Sequence, residues 1–328
     1  MRFYEGAKWV WVNGEVLPLS EATTSVCAHG LHYGTGVFEG IRSYSTPSGA
    51  GVFRLDAHLH RLAESAAAYG FDMPSTPEQL TEGVEQAMRA NDCRGDSYIR
   101  IVCWLGARDF GLTSQHLPVE IAIVAWPVGT MFPEELVRAG IKVRISPWRK
   151  IDRSMIPSTA KACGQYVSSF LAAQDAVKHG CHEALLLNAE GNLAEGSAEN
   201  IFLIQGGKLV TNDETSAILL GITRDSVITI ARDLGIPVEI RTLTLQDLFA
   251  AEDAFFTGTA AEIVKIREID GRRIGSGEAH VFSARIREGF HRATTGSDPA
   301  YSSWIHRFAL NEVSKTDLPS PAFLSASS

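Results

Sequence analysis

Short runs of alternating apolar and polar residues open the chain. Trp9 to Val12 and Glu15 to Leu17 flank Asn13-Gly14, a pair that favours a two-residue hairpin turn. Val37 to Tyr44 and Gly51 to Phe53 predict further strands. The period then lengthens. Leu59, Leu62, Ala63 and Ala66 fall on one face of a helix that Asp56 can cap, and a second helix is predicted from Thr76 or Pro77 to Ala90. Two strands follow, Ser97 to Leu105 and Val119 to Ala125, joined by the glycine-containing loop Gly106 to Pro118.

Pro127, Gly129 and Pro133 break this pattern and mark a linker. Beyond it the chain predicts a strand, Ile141 to Ile145, and a helix from Gln165 to His179. A strand-rich run follows, with turns at Glu190-Gly191-Asn192 and Gln205-Gly206-Gly207. Val227, Ile228, Ala231 and Leu234 give Ile222 to Leu234 a helical spacing that stops at Gly235. The expected organisation is a smaller N-terminal domain (1–127), a linker (128–136), a larger C-terminal domain (137–295) and a tail (296–328). The tail is rich in Ser and Pro near its end, with Trp304, Ile305 and Phe308 able to dock. No internal repeat is visible. The fold class expected is α/β (α+β) in two domains.

Composition narrows the function. The 328 residues are 45% hydrophobic and 21% charged, ordinary for a folded chain with a substantial core. A formal charge of −8 argues against a nucleic-acid partner, because phosphate neutralisation needs a basic face. No apolar run is long enough to span a bilayer, and Met1 to Gly6 lacks the apolar stretch of a secretory signal. Five scattered cysteines (27, 93, 103, 163, 181), with no CxxC pair, point to free thiols in a reducing cytoplasm.

One lysine stands apart. Lys161 sits in Pro157-Ser158-Thr159-Ala160-Lys161-Ala162-Cys163-Gly164-Gln165-Tyr166, a small and nearly uncharged stretch. Solvated lysines keep company with other charges; a lysine among Ala, Gly, Ser and Thr is a candidate buried amine, able to form a Schiff base with a carbonyl. If that carbonyl belongs to a phosphorylated aldehyde cofactor, the phosphate needs a cradle. Leu220-Gly221-Ile222-Thr223-Arg224 supplies a glycine turn, a hydroxyl and the N–H groups of a helix start. Thr257-Gly258-Thr259-Ala260-Ala261-Glu262 offers a second turn of free N–H groups. A pyridine ring also needs an acid at its nitrogen. Glu195 and Glu199, in Asn192 to Asn200, are the candidates, and spacing alone does not choose between them. No metal site is expected. His58 and His60 are two apart on a helix and diverge, and no Cys or carboxylate cluster completes a site around His29 and His32.

Glu195-Gly-Ser197-Ala-Glu-Asn200-Ile201-Phe202, Leu209-Val-Thr211 and Leu219-Leu-Gly221-Ile222-Thr-Arg224 together resemble the signature of class IV aminotransferases, fold-type IV enzymes that use pyridoxal 5′-phosphate (PLP). Upstream, His29-Gly-Leu-His32-Tyr33-Gly-Thr-Gly-Val-Phe38-Glu39-Gly40-Ile41-Arg42 resembles the branched-chain amino-acid aminotransferases, and the likeness covers about residues 9 to 290. The resemblance implies a D-amino-acid aminotransferase-like fold with the cofactor between the two domains. It implies that Lys161 carries PLP and shuttles a proton, that Glu195 pairs with the ring nitrogen, and that Tyr166 bonds the phenolic oxygen. Arg61, Ile222, Thr223 and Thr259 would bind the phosphate, and Leu219 would pack on the ring. Tyr33, Phe38 and Gly40 would form an apolar substrate pocket. Tyr98 with the N–H groups of Thr259 and Ala260 would take the α-carboxylate, and Arg100 the distal carboxylate of glutamate. Tyr98 and Arg100 lie two apart on a strand and share a face, as that role requires.

The implied reaction is transamination between Leu, Ile or Val and 2-oxoglutarate by a cytoplasmic homodimer or larger homo-oligomer. Val128 and Met131 make one pocket wall less aromatic than in many branched-chain enzymes, which opens the way to larger donors or amines. A D-amino-acid or (R)-amine transaminase and an aminodeoxychorismate lyase share the signature. A cofactor-free scaffold is the alternative from outside enzymology.

Overall fold

The computed structural model describes residues 6–109, 111–113, 116–129, 131–276 and 280–309. Phe110, Thr130 and most of the expected tail therefore lie outside the described residues. Two compact units emerge. The first comprises the residues up to Gly129 together with those from Ile305 onward; the second lies between them and ends at Trp304.

The first unit contains β1 (Trp9–Val12), β2 (Glu15–Pro18), α1 (His29–Tyr33), β3 (Gly36–Thr46), β4 (Gly49–Phe53), α2 (Leu55–Ala68), α3 (Pro77–Ala90), β5 (Ser97–Leu105) and β6 (Val119–Pro127). At the β1–β2 turn Asn13 and Gly14 both take positive φ, 50° and 105°, as a two-residue hairpin demands. The sheet is antiparallel, in the order Ile305–Arg307, β4, β3, β5, β6, β1, β2. Ile99, Ile101, Ile121 and Ile123 are fully buried, as are Leu62, Val84 and Met88 of the helices. Helix α3 begins with a capping box: Thr76 Oγ1 accepts from Gln79 N while the Gln79 side chain accepts from Thr76 N, with Pro77 in the first turn.

Helix α2 starts differently from the expectation. Its N-cap is Arg54, in a left-handed conformation (φ 53°) with no side-chain cap bond. Asp56 lies in the first turn, where its charge favours the positive end of the helix dipole.

The second unit contains α4 (Glu134–Ala139), β7 (Ile141–Ile145), α5 (Tyr166–Lys178), β8 (Glu183–Leu187), β9 (Leu193–Gly196), β10 (Asn200–Gln205), β11 (Lys208–Thr211), α6 (Ile222–Asp233), β12 (Val238–Ile240), α7 (Leu245–Ala250), β13 (Asp253–Gly258), β14 (Glu262–Ile269), β15 (Arg272–Arg273) and α8 (Val281–Thr294). Its sheet is mixed and runs β12-β11-β10-β13-β14-β7-β8-β9, with β15 beside β14. Every residue of β8 and β9 is buried, so acidic residues on these strands are carried inside. The segment read as a linker includes the start of α4, which begins directly after Pro133. Within the expected tail, Pro299–Trp304 forms a short 3-10 turn and Ile305–Arg307 pairs with β4. No described helix is long and apolar enough to cross a membrane.

Candidate active site

In the second unit, a short 3-10 turn at Cys163–Gln165 leads from Lys161 into α5, so that Lys161 and Tyr166 face each other. The half-buried Lys161 donates from Nζ to Tyr166 Oη at 2.6 Å. Buried Gln165 fixes the loop by donating from Nε2 to the Pro157 carbonyl at 2.6 Å. An amine that shares a short hydrogen bond with a phenol is held in one orientation.

Glu195 is buried on β9 and both its oxygens are engaged. Oε1 lies 2.5 Å from Lys150 Nζ; Oε2 accepts from Asn200 Nδ2 and Leu219 N, both at 3.1 Å. Asn200 also donates to the Leu219 carbonyl at 2.8 Å, tying the carboxylate to the segment that leads into α6. Lys150 is buried as well. Burial pulls its ammonium down, but the Glu195 charge and hydrogen bond outweigh burial and raise it above the ordinary lysine value.

Gly221 caps α6, with Ile222 and Thr223 buried in its first turn. The first N–H groups of a helix lack intrahelical partners and attract an anion. A Cβ on Gly221 would fall 2.1 Å from Asn200 Oδ1, so only glycine leaves both the turn and the Glu195 support intact. A second turn, at Thr259–Ala260, joins β13 to β14. Its entry residue Gly258 lies against Glu199, with a Cβ position 3.1 Å from Glu199 Cγ. Just before it, Thr257 Oγ1 is buried without a hydrogen-bond partner among the described residues.

The first unit holds the other expected residues. Phe38 and Gly40 on β3 lie beside Tyr98 and Arg100 on β5. Arg100 donates to Tyr98 Oη at 3.1 Å, and its guanidinium stands 4.8 Å from the Phe38 ring centroid. A Cβ on Gly40 would collide with Tyr98 Oη at 2.0 Å, so the glycine makes room for the phenol. Tyr33 is exposed and packs on His29 at 4.6 Å. Arg61 forms a bidentate pair with the buried Glu39, Nε to Oε1 at 2.7 Å and Nη2 to Oε2 at 2.9 Å; His58 Nδ1 stands 2.7 Å from Oε2. Burial alone would raise the Glu39 carboxyl, but the Arg61 and His58 charges and hydrogen bonds hold it far below the usual carboxylate range. His60 is exposed beside Glu64, and among the described residues no group of three His, Cys, Asp or Glu side chains could hold a metal.

Of the residues expected at the site in the second unit, Lys161 pairs with Tyr166, and Glu195 with Leu219. Both candidate carboxylates, Glu195 and Glu199, point inward. The sequence marks neither Lys150 nor Glu183 as a site residue, and Asn200 enters only within the signature run. Lys150 is followed closely by Asp152 and Arg153, a charged stretch that reads as a solvated loop, and nothing in its spacing marks it as buried.

The family profile described as amino-transferase class IV matches residues 36–269. The branched-chain-amino-acid aminotransferase of Pseudomonas aeruginosa is 39% identical over 295 residues, covering 90% of this chain and 95% of its own. Among solved structures, the T.th. branched-chain amino acid aminotransferase with pyridoxamine 5′-phosphate is similar at a TM-score of 0.89 and 42% identity, covering 93% of this chain and 99% of the other. The branched-chain aminotransferase of Thermoproteus uzoniensis with norvaline is similar at a TM-score of 0.87 and 40% identity, covering 92% and 99%. Matched by the profile over most of its length and by such relatives over nearly all of theirs, the chain belongs to the class IV aminotransferases.

Proposed function

We propose that this chain transfers the amino group of L-leucine, L-isoleucine or L-valine to 2-oxoglutarate, yielding 2-oxo acids and L-glutamate, with PLP as its cofactor. The observation that carries the reading is the Lys161 amine, hydrogen-bonded to Tyr166, in the same unit as a buried glutamate that is ion-paired with Lys150 and bonded to the segment leading into α6. The residues present suit PLP. The unpartnered Thr257 hydroxyl, the obligatory glycine at the start of α6 and the inward carboxylate match a phosphate at one end and a ring nitrogen at the other.

When bound, PLP supplies an electron-withdrawing ring that takes up the charge left as the α-proton departs. The rest falls to the protein. Ile222, Thr223 and Thr259 would hold the phosphate; Leu219 would pack on the ring; Glu195 would keep a proton at the ring nitrogen. Lys150 neutralises Glu195 on its other side and fixes its orientation. Tyr166 orients the Lys161 amine, whose Nζ would take up the substrate's α-proton and give it up again. Tyr33, Phe38 and Gly40 receive the branched side chain. The Thr259 and Ala260 N–H groups would receive the α-carboxylate. Arg100 receives the distal carboxylate of glutamate, so one apolar pocket with a cation at its edge serves both partners.

A homodimer at least, in the cytoplasm, completes the reading. It is supported by Val167, Phe170 and Val177 on α5, apolar side chains 60–64% exposed in a single copy, and by cysteines that form no disulfide. Sedimentation should give a mass at least twice that of one chain. The deciding assay is a donor panel with 2-oxoglutarate. Turnover of Leu, Ile and Val supports the assignment; turnover only of D-alanine or an (R)-amine overturns it.

A further inference from the structure

Two carboxyl groups beside the active-site network have no role in the reaction as derived. Glu183 on β8 and Glu199 at the end of the β9–β10 turn are 5% and 4% exposed. No described Lys, Arg or His lies within ion-pair distance of either. Their carboxyl oxygens accept from successive N–H groups of one turn, Ser197 N and Ala198 N, and two buried carboxyls brought to one site favour holding a proton between them over carrying two charges. Their contacts converge on that turn. Glu183 Oε1 accepts from Ala184 N at 2.7 Å and Ser197 N at 3.3 Å; Glu199 Oε2 accepts from Ala198 N at 3.0 Å; Gly196 N closes the turn on the Glu199 carbonyl at 2.6 Å. Two glycines make room for Glu199. A Cβ on Gly196 would lie 2.8 Å from its Oε2, and one on Gly258 would lie 3.1 Å from its Cγ.

We infer that Glu183 and Glu199 are positioning residues, a buried carboxyl pair sharing one proton that clamps the turn after Glu195 and braces the turn bearing Thr259 and Ala260. The inference rests on the proposed function, in which those two turns serve opposite ends of the bound cofactor and substrate. One side chain, Glu199, thereby sets the spacing between the acid at the ring nitrogen and the N–H groups that take the substrate carboxylate. The electrostatics agree. Burial pushes both carboxyls up, Glu199 well above its ordinary value, and the charges of Glu183 and Glu195 push Glu199 in the same direction. Glu195 is itself neutralised by Lys150, so the proton settles on the pair.

The test compares Glu199→Gln, which keeps a hydrogen-bond donor toward Glu183, with Glu199→Leu, which does not. Infrared difference spectra of the cofactor-free chain at neutral pH should show the carbonyl stretch of a protonated carboxylic acid, shifted in heavy water and absent from Glu199→Gln. In the holoenzyme, Glu199→Gln should keep KM for leucine within about twofold of the parent. Glu199→Leu should raise it about tenfold or more, the loss expected when hydrogen bonding to a charged carboxylate fails. A neutral-pH spectrum without the acid band, or a band that survives Glu199→Gln, overturns the shared proton. A folded Glu199→Leu with parental KM overturns the positioning role. The spectrum needs no turnover, so a parent chain that fails the donor panel refutes the transaminase assignment and leaves the spectrum to decide the pair.

Discussion

Replacing Lys150 by methionine isolates the ion pair beneath the active site. Lys150 and Glu195 have side chains only 9% and 6% exposed and meet at 2.5 Å. Removing one partner of a buried pair leaves an uncompensated charge, at a cost of about 3–5 kcal/mol. Two donors to Glu195 remain, from Asn200 and Leu219. Hydrogen bonds to a charged group are each worth about 1.5–3 kcal/mol and temper the loss, which places the expected cost near the lower end, about 3 kcal/mol. For a unit of this size each kcal/mol moves the melting temperature by about 2–4 °C, so the variant should melt about 6–12 °C lower. The assay is thermal melting of the cofactor-free chain, with Lys150→Arg as the variant that retains the charge. The pH dependence carries a sign. A lysine whose folded pKa is raised contributes its full stabilisation below the unfolded value, near 10.4, and loses it as pH climbs through the folded value. The gap between parent and Lys150→Met should thus be widest below about pH 10 and shrink above it. A Lys150→Met variant that melts with its parent at neutral pH refutes the reasoning.

Other expectations follow from the same geometry. Lys161→Ala should fold and yet lose turnover by at least the factor of about 10²–10⁴ owed to acid–base catalysis, measured as kcat on leucine. Gly221→Ala places a methyl against Asn200 and should cost about 1–3 kcal/mol in a denaturant titration, with weaker PLP binding by fluorescence. Glu39→Gln should flatten the acid limb of stability. A carboxylate with a depressed pKa stabilises the fold above its unfolded value, near 4.3, and loses that contribution as pH falls, so parent and variant should converge in melts at low pH. Arg100→Ala should raise KM for 2-oxoglutarate about tenfold or more while sparing leucine, as loss of a charge-assisted hydrogen bond implies.

Much of the fold is legible in local patterning. The strands Ser97–Leu105 and Ile141–Ile145 and the helix Pro77–Ala90 carry their periods and caps in the sequence itself. The start of α2 is less legible, because a left-handed arginine cap leaves no compositional mark. Active-site chemistry divides in the same way. Lys161 is conspicuous because its neighbours are neutral, and the glycine turns are visible because phosphate binding needs them. Lys150 and Glu183 are hidden for the opposite reason. Their partners, Glu195 on β9 and Ser197 in the turn after it, are brought to them by the fold, so burial and pairing are decided by tertiary packing rather than by neighbouring residues.

The strand Ile305–Arg307 has a bearing on how the chain is made. It covers the edge of β4, packed so closely that a Cβ on Gly51 would lie 2.4 Å from Ile305 Cγ2. The first unit is therefore not finished when its own contiguous residues leave the ribosome. Residues 130–304 must be synthesised before the covering strand arrives, and at about 5–20 residues per second that takes about 10–35 s. During that interval β4 presents unpaired N–H and C=O groups, a template for strands of other nascent chains. The sequence-distant strand makes completion of the first sheet wait on synthesis of the whole second unit, and it opens an interval of aggregation risk that lasts until Ile305–Arg307 is added.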